Sequence, residues 1–344
     1  LVDGAGGGLQ RNDKAFRAGF YEYDVKTNRK KLVVRPSENQ PSIAFDGLGN
    51  PTHARGYSQN HGGFTYYWRP EGTKDWELMH FKDKDNFEDF RVFGPDPEKE
   101  GHYLVAAHNG HDKAGIWSYD ARNKVFAEAI YRRGDVDTTS IIYHSNSLAF
   151  PDTPVGIRWC KDKCYNEFFD PAEGALYEQL ATLLPADRQI FISDRSMDGN
   201  TLIVYTYSPR DPGTYYLIRN GRISKVSGTK PYLKYEDLAD VEYITYKARD
   251  GREIPAYLTV PRGEGPFPLI VMPHGGPYVS ETIDRFDEWS QMLAHYGYMV
   301  LQPQYRGSKK YGLEFYQSAF MDGSETGRAM QDDKDDGALY LVKQ

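Results

Sequence analysis

Between Phe267 and Gly312 the chain reads as a short apolar strand, a glycine loop, a helical span and a second apolar strand. Leu269 to Met272 is a run of apolar residues between prolines, the pattern of a strand buried on both faces. It ends in His274-Gly275-Gly276-Pro277. Two adjacent residues without Cβ let the backbone turn its N–H groups toward a ligand. From Asp284 to Tyr296, apolar Phe286, Trp289, Met292, Leu293 and Tyr296 fall at helical spacing, and Gly297 is the stop signal. Tyr298 to Leu301 is then the next strand. Two strands joined through a helix of this length must lie parallel, which predicts a doubly wound sheet.

In α/β-hydrolases a His-Gly-Gly loop after an early strand supplies an N–H to the oxyanion hole. The competing reading is a plain tight turn. The order of strand, loop, helix and strand favours the catalytic loop.

His274-Gly275-Gly276-Pro277, followed by Gln304-Tyr305-Arg306-Gly307-Ser308 and Tyr311-Gly312, resembles the prolyl oligopeptidase family of serine peptidases (family S9). Its acylaminoacyl-peptidase-like and dipeptidyl-peptidase-like branch is nearest. Gln331-Asp332-Asp333-Lys334-Asp335-Asp336-Gly337 matches the acidic helix that precedes the nucleophile there. The resemblance is specific from about Tyr243 onward. It implies a β-propeller ahead of an α/β-hydrolase domain, and a Ser-Asp-His triad whose serine sits in Gly-x-Ser-x-Gly. That motif does not occur in the 344 residues. The triad is therefore expected beyond Gln344, and the chain alone is expected to be inactive. The first residues, Leu1-Val2-Asp3-Gly4-Ala5-Gly6-Gly7-Gly8, read like an interior loop, so both ends are expected to be cut.

By resemblance, Gly276 is the candidate for the oxyanion-binding N–H. Gly275 allows close approach, and His274 shapes the loop. Arg306, with Tyr305 beside it, is a candidate for contact with a substrate group. The favoured alternative ion-pairs Arg306 with the Asp332–Asp336 helix and stiffens its loop. A divalent-cation site on that helix is the weakest reading, because carboxylates one residue apart do not converge.

Before Tyr243 a strand, polar turn, strand pattern recurs. Tyr23, Tyr67, Tyr119, Trp159 and Tyr216 mark it at spacings of 44, 52, 40 and 57 residues. Propeller blades run at roughly 40–50 residues. Sandwiches and barrels share such aromatic hairpins, and the resemblance tips the choice toward a propeller. The longest interval includes Pro171 to Leu184, which has a helical pattern and is expected to insert between strands. The fold expected is an incomplete β-propeller of about five blades over residues 1–240, followed over 241–344 by the start of an α/β-hydrolase domain.

Cys160 and Cys164 flank a predicted hairpin turn, which suits a disulfide. Free thiols are the alternative, and zinc is weak for want of further ligands nearby. A disulfide points toward a periplasmic or secreted setting rather than a cytoplasmic one. The net charge of −7 argues against a nucleic-acid surface as the main function. There is no apolar run of transmembrane length, and no cofactor or metal site is expected. The substrates expected are short peptides, and homo-oligomer formation is left open. Two rivals remain: an esterase on the same architecture, and a non-catalytic propeller module that binds partners. The dipeptidyl-peptidase branch recognises a peptide N-terminus through a Glu-Glu pair, and none is found here.

Overall fold

The computed structural model describes residues 2–3, 19–36, 42–280, 284–320 and 327–344. Of the opening segment read as a loop, Val2–Asp3 forms a short strand, and residues 1 and 4–8 lie outside the described residues.

Among the described residues, five antiparallel sheets precede Asp240, each a meander in chain order. The first contains Phe20–Asp24 and Arg29–Val34. The second runs from Ser42–Phe45 to Glu77–Asp83, and the third from Phe90–Pro95 to Val125–Tyr131. The fourth joins Ser140–Tyr143, Pro154–Cys160 and Cys164–Phe168. The fifth joins Gln189–Arg195, Thr201–Ser208, Asp211–Arg219 and Arg222–Gly228. The five aromatic markers fall one to a sheet, each on an inner strand. Helix α1, Pro171–Leu183, sits between the fourth and fifth sheets in sequence. Asp170 caps it, accepting from the N–H groups of Ala172 and Glu173.

The chain divides into two compact units. One holds the first three sheets; the other holds the fourth, the fifth and the last. In the first unit the second and third sheets share a core of Tyr66, Trp68, Met79, Phe90, Tyr103, Trp117 and Tyr119. Tyrosine suits this place because its ring is buried while its hydroxyl finds a partner. Tyr103 donates to Thr52 O at 2.8 Å and Tyr119 to Met79 O at 2.9 Å, linking one sheet to the backbone of its neighbour.

In the second unit the last sheet is ordered Asp240–Lys247, Glu253–Val260, Met299–Pro303, Leu269–Val271. The first two pair antiparallel through the turn at Arg249-Asp250-Gly251-Arg252, and the last two pair parallel. That sheet packs on α4, Arg328–Val342, burying Tyr246, Ile254, Leu258 and Leu301.

Helix α2 differs from its expected extent and face. It spans Glu288–His295, because Asp287 caps it by accepting from Ser290 N–H. Its buried residues are Ser290, Gln291 and Ala294, while Trp289 and Tyr296 are 67% and 73% exposed. Gln291 explains the rotation. Its carboxamide accepts from Ala239 N–H and donates to Ala239 O and Pro209 O, at 2.8, 2.9 and 3.1 Å. Helix α3 is Leu313–Gln317. No helix among the described residues is long and apolar enough to cross a membrane.

Candidate functional site

The strand Leu269–Val271 delivers His274-Gly275-Gly276-Pro277 at its C-terminal end, where open α/β sheets bind ligands. Gly276 has φ 123°, a conformation that side-chain-bearing residues avoid. A Cβ there would also lie 2.6 Å from Val279 Cγ2. Gly275 and Gly276 are exposed, and among the described residues neither N–H donates a hydrogen bond. The Gly276 N–H is thus available to an incoming oxygen.

His274 is buried behind the loop. Its Nδ1 lies 2.9 Å from Gly275 O and its Nε2 lies 2.8 Å from Ser308 Oγ. Tyr305 stacks on the imidazole at 4.5 Å between centroids and donates its hydroxyl to His274 O at 2.7 Å. Ser308 Oγ also lies 2.7 Å from Tyr305 O. His274, Tyr305 and Ser308 therefore lock the glycine loop to the loop after Met299–Pro303. A histidine enclosed this way shapes backbone and does not face solvent.

Arg306 is 7% exposed and points the other way. Its Nε and Nη2 donate to the two carboxylate oxygens of Asp333 at 2.9 and 2.7 Å, and its own N–H donates to Asp333 Oδ2 at 2.9 Å. Nη1 lies 2.8 Å from Asp250 Oδ2. Hydrogen bonding to Asp333, against the cost of burial, pushes the guanidinium pKa above its ordinary value. Of the two roles weighed for Arg306, this geometry is that of the ion pair with the acidic helix. Tyr305, 1% exposed, is equally engaged, and Lys334 Nζ sits 4.3 Å from its ring centroid. Substrate contact by either would require breaking these interactions.

The rest of the acidic run diverges as helical geometry requires. Asp332 and Asp336 pair with Arg249, while Asp335 accepts from Gln331. Cys160 and Cys164 are cross-strand partners joined by a disulfide, with Cα atoms 4.0 Å apart. Two anchors hold that turn to neighbouring segments: Tyr257 donates to Lys161 O at 2.9 Å, and Cys164 N–H donates to Asp284 Oδ2 at 3.2 Å. Reading the sequence missed Asp284 and Gln291, which carry no motif. Ser308 was visible only as part of the Arg-Gly-Ser stretch.

No family model matches the chain. A dipeptidyl aminopeptidase BIII from Pseudoxanthomonas mexicana is 30% identical over 186 residues, covering 51% of this chain and 26% of that protein. Among solved structures, the dipeptidyl peptidase 4 of Porphyromonas gingivalis superposes with a TM-score of 0.58 at 16% identity, over 94% of this chain and 46% of that one. A prolyl endopeptidase structure superposes with a TM-score of 0.60 at 14% identity, over 97% and 49%. The chain thus spans about a quarter of the curated relative and about half of each solved chain. The fold is that of β-propeller blades followed by the first part of an α/β-hydrolase domain.

Proposed function

We propose that the chain belongs to the prolyl oligopeptidase family and is part of a serine peptidase that cleaves short peptides from their N-terminal side, a reading supported by the dipeptidyl aminopeptidase relative and the shared fold. The triad of this reading lies beyond Gln344, and the residues present prepare the site it would act in. Gly276 donates its N–H to the oxyanion of the tetrahedral intermediate. His274, Tyr305 and Ser308 hold that N–H in place before substrate arrives. Arg306 and Asp333 fix the following loop against α4. Preorganised donors of this kind act without reorganisation cost at the moment of reaction.

The observation that carries the reading is the exposed Gly276 N–H, unpartnered among the described residues at the C-terminal end of its strand. The test uses the full-length protein with aminoacyl-nitroanilide and acyl-ester substrates. Gly276→Ala adds a Cβ at a φ that alanine resists, and the clash with Val279 displaces the donor. It is expected to lower kcat by about two to three orders of magnitude with little change in KM. Full kcat in a normally folded variant would reduce the loop to a turn. Turnover of esters alone would favour an esterase. Absence of turnover and of labelling by a fluorophosphonate would favour a binding module.

A further inference from the structure

A second constellation lies in the same unit. Arg158, on the strand Pro154–Cys160, faces the side of the sheet opposite Trp159 and is paired across the ladder with Asn166. Its guanidinium bridges the fourth and fifth sheets. Nη1 donates to Asn166 Oδ1 at 3.1 Å, and Nη2 donates to Gln189 Oε1 at 3.2 Å and Tyr207 Oη at 3.0 Å. All three acceptors are neutral. Among the described residues no carboxylate lies within ion-pair distance of Arg158. A partly buried guanidinium held in one plane by neutral acceptors keeps its charge, and among the described residues its Nε–H makes no hydrogen bond.

The surroundings add to that charge. Arg158, Arg285 and Asp284 all act electrostatically on the half-buried Lys310 and on the Tyr207 hydroxyl. Among the described residues, three cations and the carboxylate of Asp284 act on one another here. Asp284 is 4% exposed, and one of its oxygens is already taken by Cys164 N–H. Burial raises its pKa, with Arg158 acting in the opposite direction. The cluster also adjoins the glycine loop. Lys309 N–H donates to Val279 O at 3.2 Å, tying the segment that carries Lys310 to the residues just after Gly276.

We infer that Arg158, supported by Arg285 and Lys310, is a carboxylate-recognition site that anchors an anionic group of the peptide substrate beside the oxyanion loop. This rests on the peptidase reading above. A carboxylate can accept from the Nε–H and feel the full guanidinium charge, and a guanidinium already fixed in place loses little freedom in pairing with it. The carboxylate could be the C-terminus of a short peptide or an acidic side chain, and one experiment separates these sources.

Full-length protein is assayed on matched short peptides. One pair carries a free or an amidated C-terminus; another carries Glu or Gln at a position after the scissile bond. The wild type is expected to favour the charged member of one pair by tenfold or more in kcat/KM, mainly through KM. Arg158→Gln is expected to bring that ratio near one, and Arg158→Lys to restore part of it. Because Arg158 also bridges two sheets, the exposed Arg285→Ala serves as a second variant and is expected to cut the ratio severalfold. The pair that shows the Arg158-dependent ratio identifies the source of the carboxylate. Equal turnover of both members of both pairs, or a ratio that survives Arg158→Gln and Arg285→Ala, overturns the inference and leaves the peptidase reading standing. Absence of turnover of every peptide overturns the peptidase reading, and the site with it.

Discussion

Gly337 occupies the middle of α4, facing the sheet, and Gly337→Ala sets two known effects against each other. In a helix interior, alanine is favoured over glycine by about 1 kcal/mol. Here the added Cβ would lie 2.7 Å from both Tyr246 Cζ and Tyr246 Oη, and 2.8 Å from Leu301 Cδ2. Neither side chain can swing away, since Tyr246 is 2% exposed and Leu301 is fully buried. Overpacking a core in this way costs about 1–3 kcal/mol. Tyr246 also donates to Asp333 O at 2.7 Å, and losing that buried bond costs about 1–3 kcal/mol more. The steric side wins, with a net destabilisation of about 1–5 kcal/mol. Amide hydrogen exchange in Glu253–Val260 and Met299–Pro303 reads the local stability of the sheet that α4 covers. Tyr246→Phe removes one of the clashing atoms, so Gly337→Ala should cost less in that background. A Gly337→Ala protein with exchange as slow as the parent's, or slower, would refute the claim that close approach of helix to sheet requires glycine there.

Two further outcomes are expected. Asp333→Asn leaves Arg306 buried with only the half-exposed Asp250, and should destabilise by about 3 kcal/mol in urea unfolding, well beyond the effect of Asp250→Asn. His53 and His80 are held near a pKa of about 4 by burial, with Lys82 adding to the effect at His80. Their folded values lie below the ordinary 6.5, so the unfolded state takes up protons first. The stability they contribute is therefore present above pH 6.5 and is lost as pH falls toward 4. The two together should cost about 3 kcal/mol over that interval after solvent screening. Thermal unfolding of the parent and of His53→Gln with His80→Gln tests this; an equally steep pH dependence in both would assign it elsewhere.

Local patterns carried most of the fold. Each aromatic hairpin declares its own strands, because alternation and turn residues act within a few positions. That is why Tyr23, Tyr67, Tyr119, Trp159 and Tyr216 fall on separate sheets. The glycine loop was legible for the same reason: φ 123° at Gly276 is a demand that only its own residue type meets cheaply.

Partner choice was not local. Asp332, Asp333, Asp335 and Asp336 look interchangeable in sequence, yet only Asp333 turns inward to Arg306, since helix phase and the seat of α4 on the sheet select one of the four. The apolar stripe of α2 pointed to the wrong face, because Gln291 satisfies the backbone of Ala239, 52 residues away. Arg158 had no motif at all; its neutral acceptors Asn166, Gln189 and Tyr207 come together only once two sheets meet around it. Sequence alone determined which segments become strands, helices and glycine turns, because dihedral preference and hydrophobic period are properties of neighbours along the chain. Tertiary structure decided which charges are neutralised and which are left available, because that depends on residues brought together through space.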